Sequence, residues 1–461
     1  MSNQVTERNV EIERGIISND GEYTLVVGLG ATGFSCVENL LRRGVHVVVT
    51  DSRREPPYLE SLKNKYPEVS FQLGGFDPQL FSNANEVIIS PGVAVSNVAV
   101  ENAILAGRPV YGDIELFAQQ ARAPVIAITG SNGKSTVTTL VFELLKAAGR
   151  RVEVGGNLGP SALNLLTRDV PEFYVLELSS FQLETTNSLN AAAAVVLNLS
   201  SDHMDRYETL AQYSSAKQRI FRGDGVMVVN QDDTAVLEML DHGRRAIGFS
   251  LDAESDATYS VVLCKDEEWI ARDKEPLMPV SRLGLCGRHN VSNVLAALAL
   301  LEAVGVETPR DLDVLIQFRG LPHRCELIRE KDNVRWVNDS KATNVGASIA
   351  AVEGLFGTGP IILIAGGQSK SADFTPLGKT IRSFTQDLIL IGRDGHLIGE
   401  VVGTSHSVHY ARSMAHAITI ARQVATAGST VLFSPACASF DMYNNYAERG
   451  EDFSRLVWEL Q

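Results

Sequence analysis

The densest run of reactive residue types lies between Thr129 and Thr136, TGSNGKST. Glycines there free backbone N–H groups to wrap phosphates, Lys134 has the reach to meet the terminal ones, and the Ser135 hydroxyl suits Mg²⁺. The common phosphate-loop pattern carries a glycine five residues before the one preceding the lysine. Here that position is Ile128, so the loop is a shortened variant. A strand-like AITG runs into it and an amphipathic helical pattern leaves it. That context favours an ATP loop built by Gly130, Ser131, Asn132, Gly133, Lys134, Ser135 and Thr136 over a chance Gly-Lys turn.

Acidic residues after the following strands could hold the metal: Glu177 in YVLELSSFQLE, and Asp202, His203 and Asp205 in DHMDRY. Mg²⁺ takes oxygen ligands, which makes Glu177 the natural candidate and His203 the unusual one. DHMD also reads as a loop with a helix cap. His289 and Asn290 of GRHN stand just ahead of a strongly apolar helical run, where they either cap that helix or contact a base.

In GLGATG, Gly28, Gly30 and Gly33 follow a strand and open a helix, and Asp51 closes the next strand 18 residues after Gly33. Small residues in that position let a phosphate approach the positive helix end. Taken alone the pattern suggests NAD; the alternative is a tight turn that binds nothing. Further on, LPHR (Leu321 to Arg324), NDSKATN (Asn338 to Asn344), GGQSKSADF and SPACASFDMYNNY mix Lys, Arg, Asp, Ser and Thr at turns after strands. Such clusters suit an anionic ligand held by fixed donors, and so suggest an acceptor site facing the ATP.

Short β-branched runs followed by Gly-rich turns and helical patterns recur, as βαβ units do. Openings at Thr24, Ala123 and Ile361 lie about a domain's length apart, and 461 residues suit about three domains at roughly 150 each. The expectation is an α/β protein with a Rossmann-like domain over 1–112, a central P-loop domain over 113–320 and a Rossmann-like domain over 321–461. With 41 Lys+Arg against 55 Asp+Glu, the net charge of −14 disfavours a nucleic-acid partner. Five dispersed cysteines without a CxxC pair fit a reducing compartment. The polar amino terminus and the short apolar run near Val294 to Leu301 argue against a signal peptide and a membrane span. A cytoplasmic protein is expected.

Taken together, TGSNGKST, the GGNLG turn, ELSSFQLE, DHMDRY, GRHN, LPHR, NDSKATN and SPACASFD resemble, in order, the Mur ligases, ATP-dependent amide-bond-forming enzymes of peptidoglycan precursor synthesis. GLGATG, LPHR and the pairing of NDSKATN with SPACAS are most similar to the member that adds D-glutamate to UDP-N-acetylmuramoyl-L-alanine. The resemblance makes the first glycine loop a UDP site and overrides the NAD reading. It implies that the UDP substrate is held by Ala31, Thr32, Asp51, Ser52, Arg53, Gly92 and Asn157. ATP phosphates would lie on Gly130 to Thr136, with base and ribose approached by Asn290, Asn293, His323, Arg324 and Asp339. Two Mg²⁺ ions would be bound through Ser135, Glu177, His203 and a carbamylated Lys217. D-glutamate would be gripped by Thr343, Lys370, Ser439 and Tyr446, the last standing where the family has Phe.

Without that resemblance, Lys217 reads as an ordinary surface lysine. The expected reaction passes through an acyl phosphate, with Lys134 and His203 assisting, in a monomeric enzyme of cell-wall biogenesis on which cell shape and division depend. A Rossmann-type dehydrogenase and a regulatory P-loop ATPase are the alternatives.

Overall fold

The computed structural model describes residues 13–14, 22–285, 287–307, 312–357, 359–369, 371–404 and 406–460. Its described residues fall into two compact units. One takes the chain as far as Thr129, with Arg150–Ala194 and Ser215–Gly225; the other takes Gly130–Gly149, Val195–Ser214 and the chain from Val226 onward.

In the first unit, six strands form a sheet in the order Glu13–Arg14, Ser70–Leu73, Val47–Asp51, Thr24–Val27, Glu86–Ile89, Val110–Tyr111. All neighbours are parallel except the Glu13–Arg14 edge. Thr24–Val27 and Val47–Asp51 are buried along their whole length, which explains their unbroken apolar runs: a parallel sheet is covered on both faces. Strand order reverses around Thr24–Val27, the switch point where such sheets open a crevice. The turn there needs its glycines. Gly28 has φ +92°, and a Cβ on Gly33 would lie 1.8 Å from the Gly28 carbonyl oxygen. The same unit holds a parallel trio, Val152–Gly156, Phe173–Glu177 and Val125–Thr129.

In the second unit, the helix Lys134–Ala147 packs against Arg288–Ala303, which buries twelve residues and so carries the apolar run seen in the sequence. Val226–Asn230, Ala246–Ser250 and Tyr259–Cys264 pair in parallel, and Glu267–Arg272 and Glu275–Pro279 add an antiparallel meander. The meander departs from the expected βαβ pattern. Its turns place Lys265, Asp266, Asp273 and Lys274 at φ between +49° and +69°, so the glycine or asparagine that normally signals a hairpin is missing.

A second sheet in this unit runs in the order Glu326–Lys331, Val334–Asn338, Thr430–Phe433, Ile361–Ala365, Asp387–Leu390, Ser407–Tyr410. It is parallel after its first antiparallel pair. Apolar clusters cover both its faces. Because Asn338 stands opposite Phe433, and Ile364 opposite Phe433 on the other side, the loops carrying NDSKATN, SPACAS and GGQSK leave the same carboxyl edge. Among the described residues no helix is long and apolar enough to cross a membrane.

Candidate active site

The phosphate loop turns on two glycines, Gly130 at φ +154° and Gly133 at φ +83°. A Cβ on Gly133 would lie 2.4 Å from Asn293 Oδ1, so the backbone presses against the helix Arg288–Ala303. Lys134 Nζ donates to the Gly130 and Ser131 carbonyls at 2.8 Å each, curling over its own loop. Asn132 is locked from both sides by Asn198: its N–H donates to Asn198 Oδ1 at 2.8 Å and its carbonyl accepts from Asn198 Nδ2 at 3.1 Å. Ser131 Oγ accepts from the Ser200 N–H at 2.9 Å and lies 3.2 Å from the buried Tyr213 hydroxyl.

Beside the loop the second unit opens a cleft of about 340 Å³. Asn132, Gly133, Thr136, Asn290, Asn293, Arg324 and Asp339 line it, bringing together most of the residues expected to meet ATP. Neither Asn290 nor His289 caps a helix from outside. Both lie within the first turn of Arg288–Ala303, whose N-cap is Gly287. Asn290 Oδ1 accepts from Asn293 Nδ2 at 3.1 Å, so the two amides present one polar patch to the cleft. Burial pushes the His289 imidazole down to about 4, which keeps it neutral near neutral pH.

Arg324 Nη2 donates to Ser135 Oγ at 2.7 Å. Asp339 accepts from Ser434 Oγ at 2.7 Å and from the Cys325 N–H at 3.2 Å. Burial nevertheless pushes its carboxyl up to about 7, against the pull of those bonds and of Arg324. His323 precedes Arg324 in the same loop. Its Nδ1 lies 3.3 Å from Asn338 Nδ2 and its ring centroid 6.1 Å from that of Tyr446.

The metal candidates divide between the units. In the first, Glu177 ends its strand buried, and Asn157 Nδ2 donates to its Oε1 at 2.5 Å. Glu177 Oε2 is buried with no hydrogen-bond partner. A buried carboxylate oxygen left unpaired suits a cation, so this residue fits the divalent metal expected of it. Asn157, expected at the UDP substrate, is the residue that aims this carboxylate. Lys217 is only 1% exposed, in the helix Leu210–Gln218, and its Nζ lies 3.3 Å from Thr129 Oγ1. The surface-lysine alternative is therefore wrong.

In the second unit, His203 takes a left-handed φ of +56° in DHMD, and its carbonyl accepts from the N–H groups of Arg206 and Tyr207. DHMD is thus a turn and not a cap, since the next helix begins at Leu210. No group of three or more His, Cys, Asp and Glu is assembled among the described residues.

Around the glycine loop of the first unit, Asp51 Oδ2 accepts from the Leu29 N–H at 2.7 Å and Oδ1 from the Arg53 N–H at 2.8 Å and Nε at 2.9 Å. Burial raises its pKa, but the bonds from Arg53 and Leu29 outweigh that and hold it below the ordinary value. Ala31, Thr32, Ser52, Arg53 and Gly92 follow three adjacent strands at the switch point, all at least partly exposed.

Of the residues expected at the acceptor, Thr343 and Ser439 lie on neighbouring loops, and Tyr446 begins the helix Tyr446–Trp458 with its ring centroid 3.9 Å from Lys341 Nζ. Lys370 lies outside the described residues. Two contributors escaped sequence reasoning. Arg449 is buried, donates to the carbonyls of Ser340, Cys437 and Ala438, and clamps two of the loops. Burial lowers its pKa to about 10. Asn344 is the other; an asparagine in a loop carries no signal that it bonds across the fold.

Residues 22–112 match the Mur ligase MurD-like N-terminal domain, 128–301 the Mur ligase middle domain and 323–437 the Mur ligase glutamate ligase domain. A UDP-N-acetylmuramoylalanine–D-glutamate ligase of Marinobacter nauticus is 50% identical over 435 residues, 94% of this chain and 97% of its own. The chain belongs to the Mur ligase family. A relative of the same name from Nitrosococcus oceani is 48% identical over 437 residues, covering 95% of this chain and 96% of its own. The MurF ligase of Thermotoga maritima, solved in complex with ADP, shares the fold at 16% identity and a TM-score of 0.59, covering 95% of this chain and 96% of that one. The α/β sheets expected of a Mur ligase are present, and all three of the family's domain models match.

Proposed function

We propose that this Mur ligase joins D-glutamate to UDP-N-acetylmuramoyl-L-alanine at the expense of ATP, a step of peptidoglycan precursor synthesis. The observation that carries the reading is one of placement. A phosphate loop and the carboxyl edge of a glutamate-ligase sheet belong to a single unit, tied by Arg324 to Ser135. The relatives' shared name supports the choice of substrates.

A free carboxylate resists an amine because its charge repels the nucleophile and oxide is a poor leaving group. In the proposed reaction the alanyl carboxylate oxygen attacks the γ-phosphorus, the bond to ADP breaks, and an acyl phosphate forms. The glutamate amine then attacks the acyl carbon to form the C–N bond, its proton passes to solvent, and the acyl C–O bond breaks so that phosphate leaves carrying that oxygen.

Gly130 to Thr136 would cradle the phosphates and Lys134 would turn from its own loop carbonyls to the transferring group. Asn290, Asn293, Arg324 and Asp339 would hold the nucleoside, with His323 nearer the acceptor. Ser135, Glu177, His203 and a carbamate on Lys217 would hold Mg²⁺, whose chemistry is to neutralise charge on the phosphoryl oxygens. Carbamylation suits a buried lysine: it exchanges an ammonium for an anionic oxygen donor. The UDP substrate would occupy the switch point at Ala31, Thr32, Asp51, Ser52, Arg53 and Gly92, and Asn157 would also meet it. Thr343, Lys370, Ser439 and Tyr446 would receive glutamate. Domains over 1–112, 113–320 and 321–461, a cytoplasmic location and a monomeric state complete the reading.

The test is phosphate release with each component omitted in turn. Release should need ATP, Mg²⁺, the UDP substrate and D-glutamate together, and L-glutamate should not substitute. Equal release without the UDP substrate would sink the ligase reading.

A further inference from the structure

We propose that Asn344 is a positioning residue, a latch that sets the glutamate-binding loop against the phosphate loop so that acyl phosphate meets amine rather than water. The inference rests on the ligase reading above. Asn344 is buried, and its Oδ1 accepts from the Ala347 N–H at 2.8 Å, capping the helix Val345–Gly354. That bond fixes which end of the amide is oxygen. The NH₂ end therefore points the other way, and both its protons are used: Nδ2 lies 3.2 Å from Asn132 Oδ1 and 3.0 Å from Asp202 Oδ2.

Each partner is itself held. The Asn132 backbone is clasped by Asn198, and Asp202 Oδ1 accepts from the His203 N–H at 2.9 Å. One side chain thus ties three loops: the phosphate loop, the DHMD turn and the loop that carries Thr343. Close packing says the same independently, since a Cβ on Gly346 would lie 2.8 Å from Ser200 Oγ and 3.5 Å from Asn132 Nδ2. The donor to Asp202 is the stronger of the two bonds, because its acceptor is charged.

A cap and a latch make different demands, which gives the test. Asp caps a helix about as well as Asn, and Ser nearly as well. Asn344→Asp would keep the bond from Ala347 yet set a carboxylate against Asp202 and Asn132 Oδ1. Asn344→Ser would keep a cap and lose both donors. The measurement is phosphate released per amide formed, with kcat/KM for D-glutamate and the melting temperature alongside. Both variants should melt near the wild type, release about twofold or more phosphate per amide, and lose about tenfold in kcat/KM for glutamate. Asn344→Asp combined with Asp202→Asn restores a donor facing an acceptor and should recover coupling.

If Asn344→Asp couples as the wild type does, the residue is only a cap and the latch is overturned. Coupling left unrecovered in the double variant would also count against it. A wild-type chain that forms no amide at all would instead bring down the ligase reading on which the latch depends.

Discussion

Arg324 donates to Ser135 Oγ across 2.7 Å although the two stand 189 residues apart in the chain. A guanidinium from the opening of the glutamate-ligase sheet thus occupies the hydroxyl that a phosphate loop offers to its metal. On the proposed reading, nucleotide phosphates draw both groups to themselves.

Arg324→Ala should therefore lower kcat/KM for ATP by about 100-fold, with Arg324→Lys only partly restoring it because an ammonium cannot fork between two oxygens. Steady-state kinetics with ATP varied checks this; an unchanged ATP dependence would detach Arg324 from the nucleotide.

Lys134→Ala should abolish turnover and leave the melting temperature close to that of the wild type. The change removes a partly solvated cation that donates to two carbonyls of its own loop, and little core. Circular dichroism melting beside the phosphate assay separates the two effects. Near-normal activity would show that this loop does not serve ATP.

For Lys217, burial at 1% exposure makes a chemical role testable. Lys217→Ala should be nearly inactive, and small carboxylates such as acetate should restore part of the activity by standing in for the carbamate. Wild-type protein prepared in CO₂-depleted buffer should lose activity and regain it with bicarbonate. Full activity of Lys217→Ala without CO₂ would rule the carbamate out.

Asp339 predicts a pH dependence. Its carboxyl is raised to about 7 in the fold, chiefly by burial, against roughly 4 in an unfolded chain. Between those values the native state binds the extra proton, so this residue's contribution to stability falls as pH rises from about 4 to about 7, and is flat above. Asp339→Asn removes the slope. The melting temperature of the variant minus that of the wild type should climb over that window and then level; a constant difference would contradict the assignment.

The glycine loops were legible because their chemistry demands particular residues at fixed spacing: a Cβ at Gly33 or Gly133 meets atoms closer than 3 Å. The three polar loops were legible as clusters after strands, though their convergence on one edge comes from strand order, which places Thr430–Phe433 between two earlier strands. Lys217 could not be read from its helix, because LAQYSSAKQ has no apolar stripe to mark its buried side. Arg449 and Asn344 were hidden for a related reason. Apart from the cap that Asn344 makes on Ala347, their bonds go to residues about 11 to 212 positions away, and no local pattern encodes such partners.

The central claim is that the alanyl carboxylate itself attacks the γ-phosphorus. Labelling that carboxylate with ¹⁸O and recovering the phosphate after complete turnover with ATP and D-glutamate tests it most directly. Phosphate carrying one ¹⁸O atom per amide formed is the predicted result; unlabelled phosphate formed alongside the amide would contradict the acyl-phosphate route.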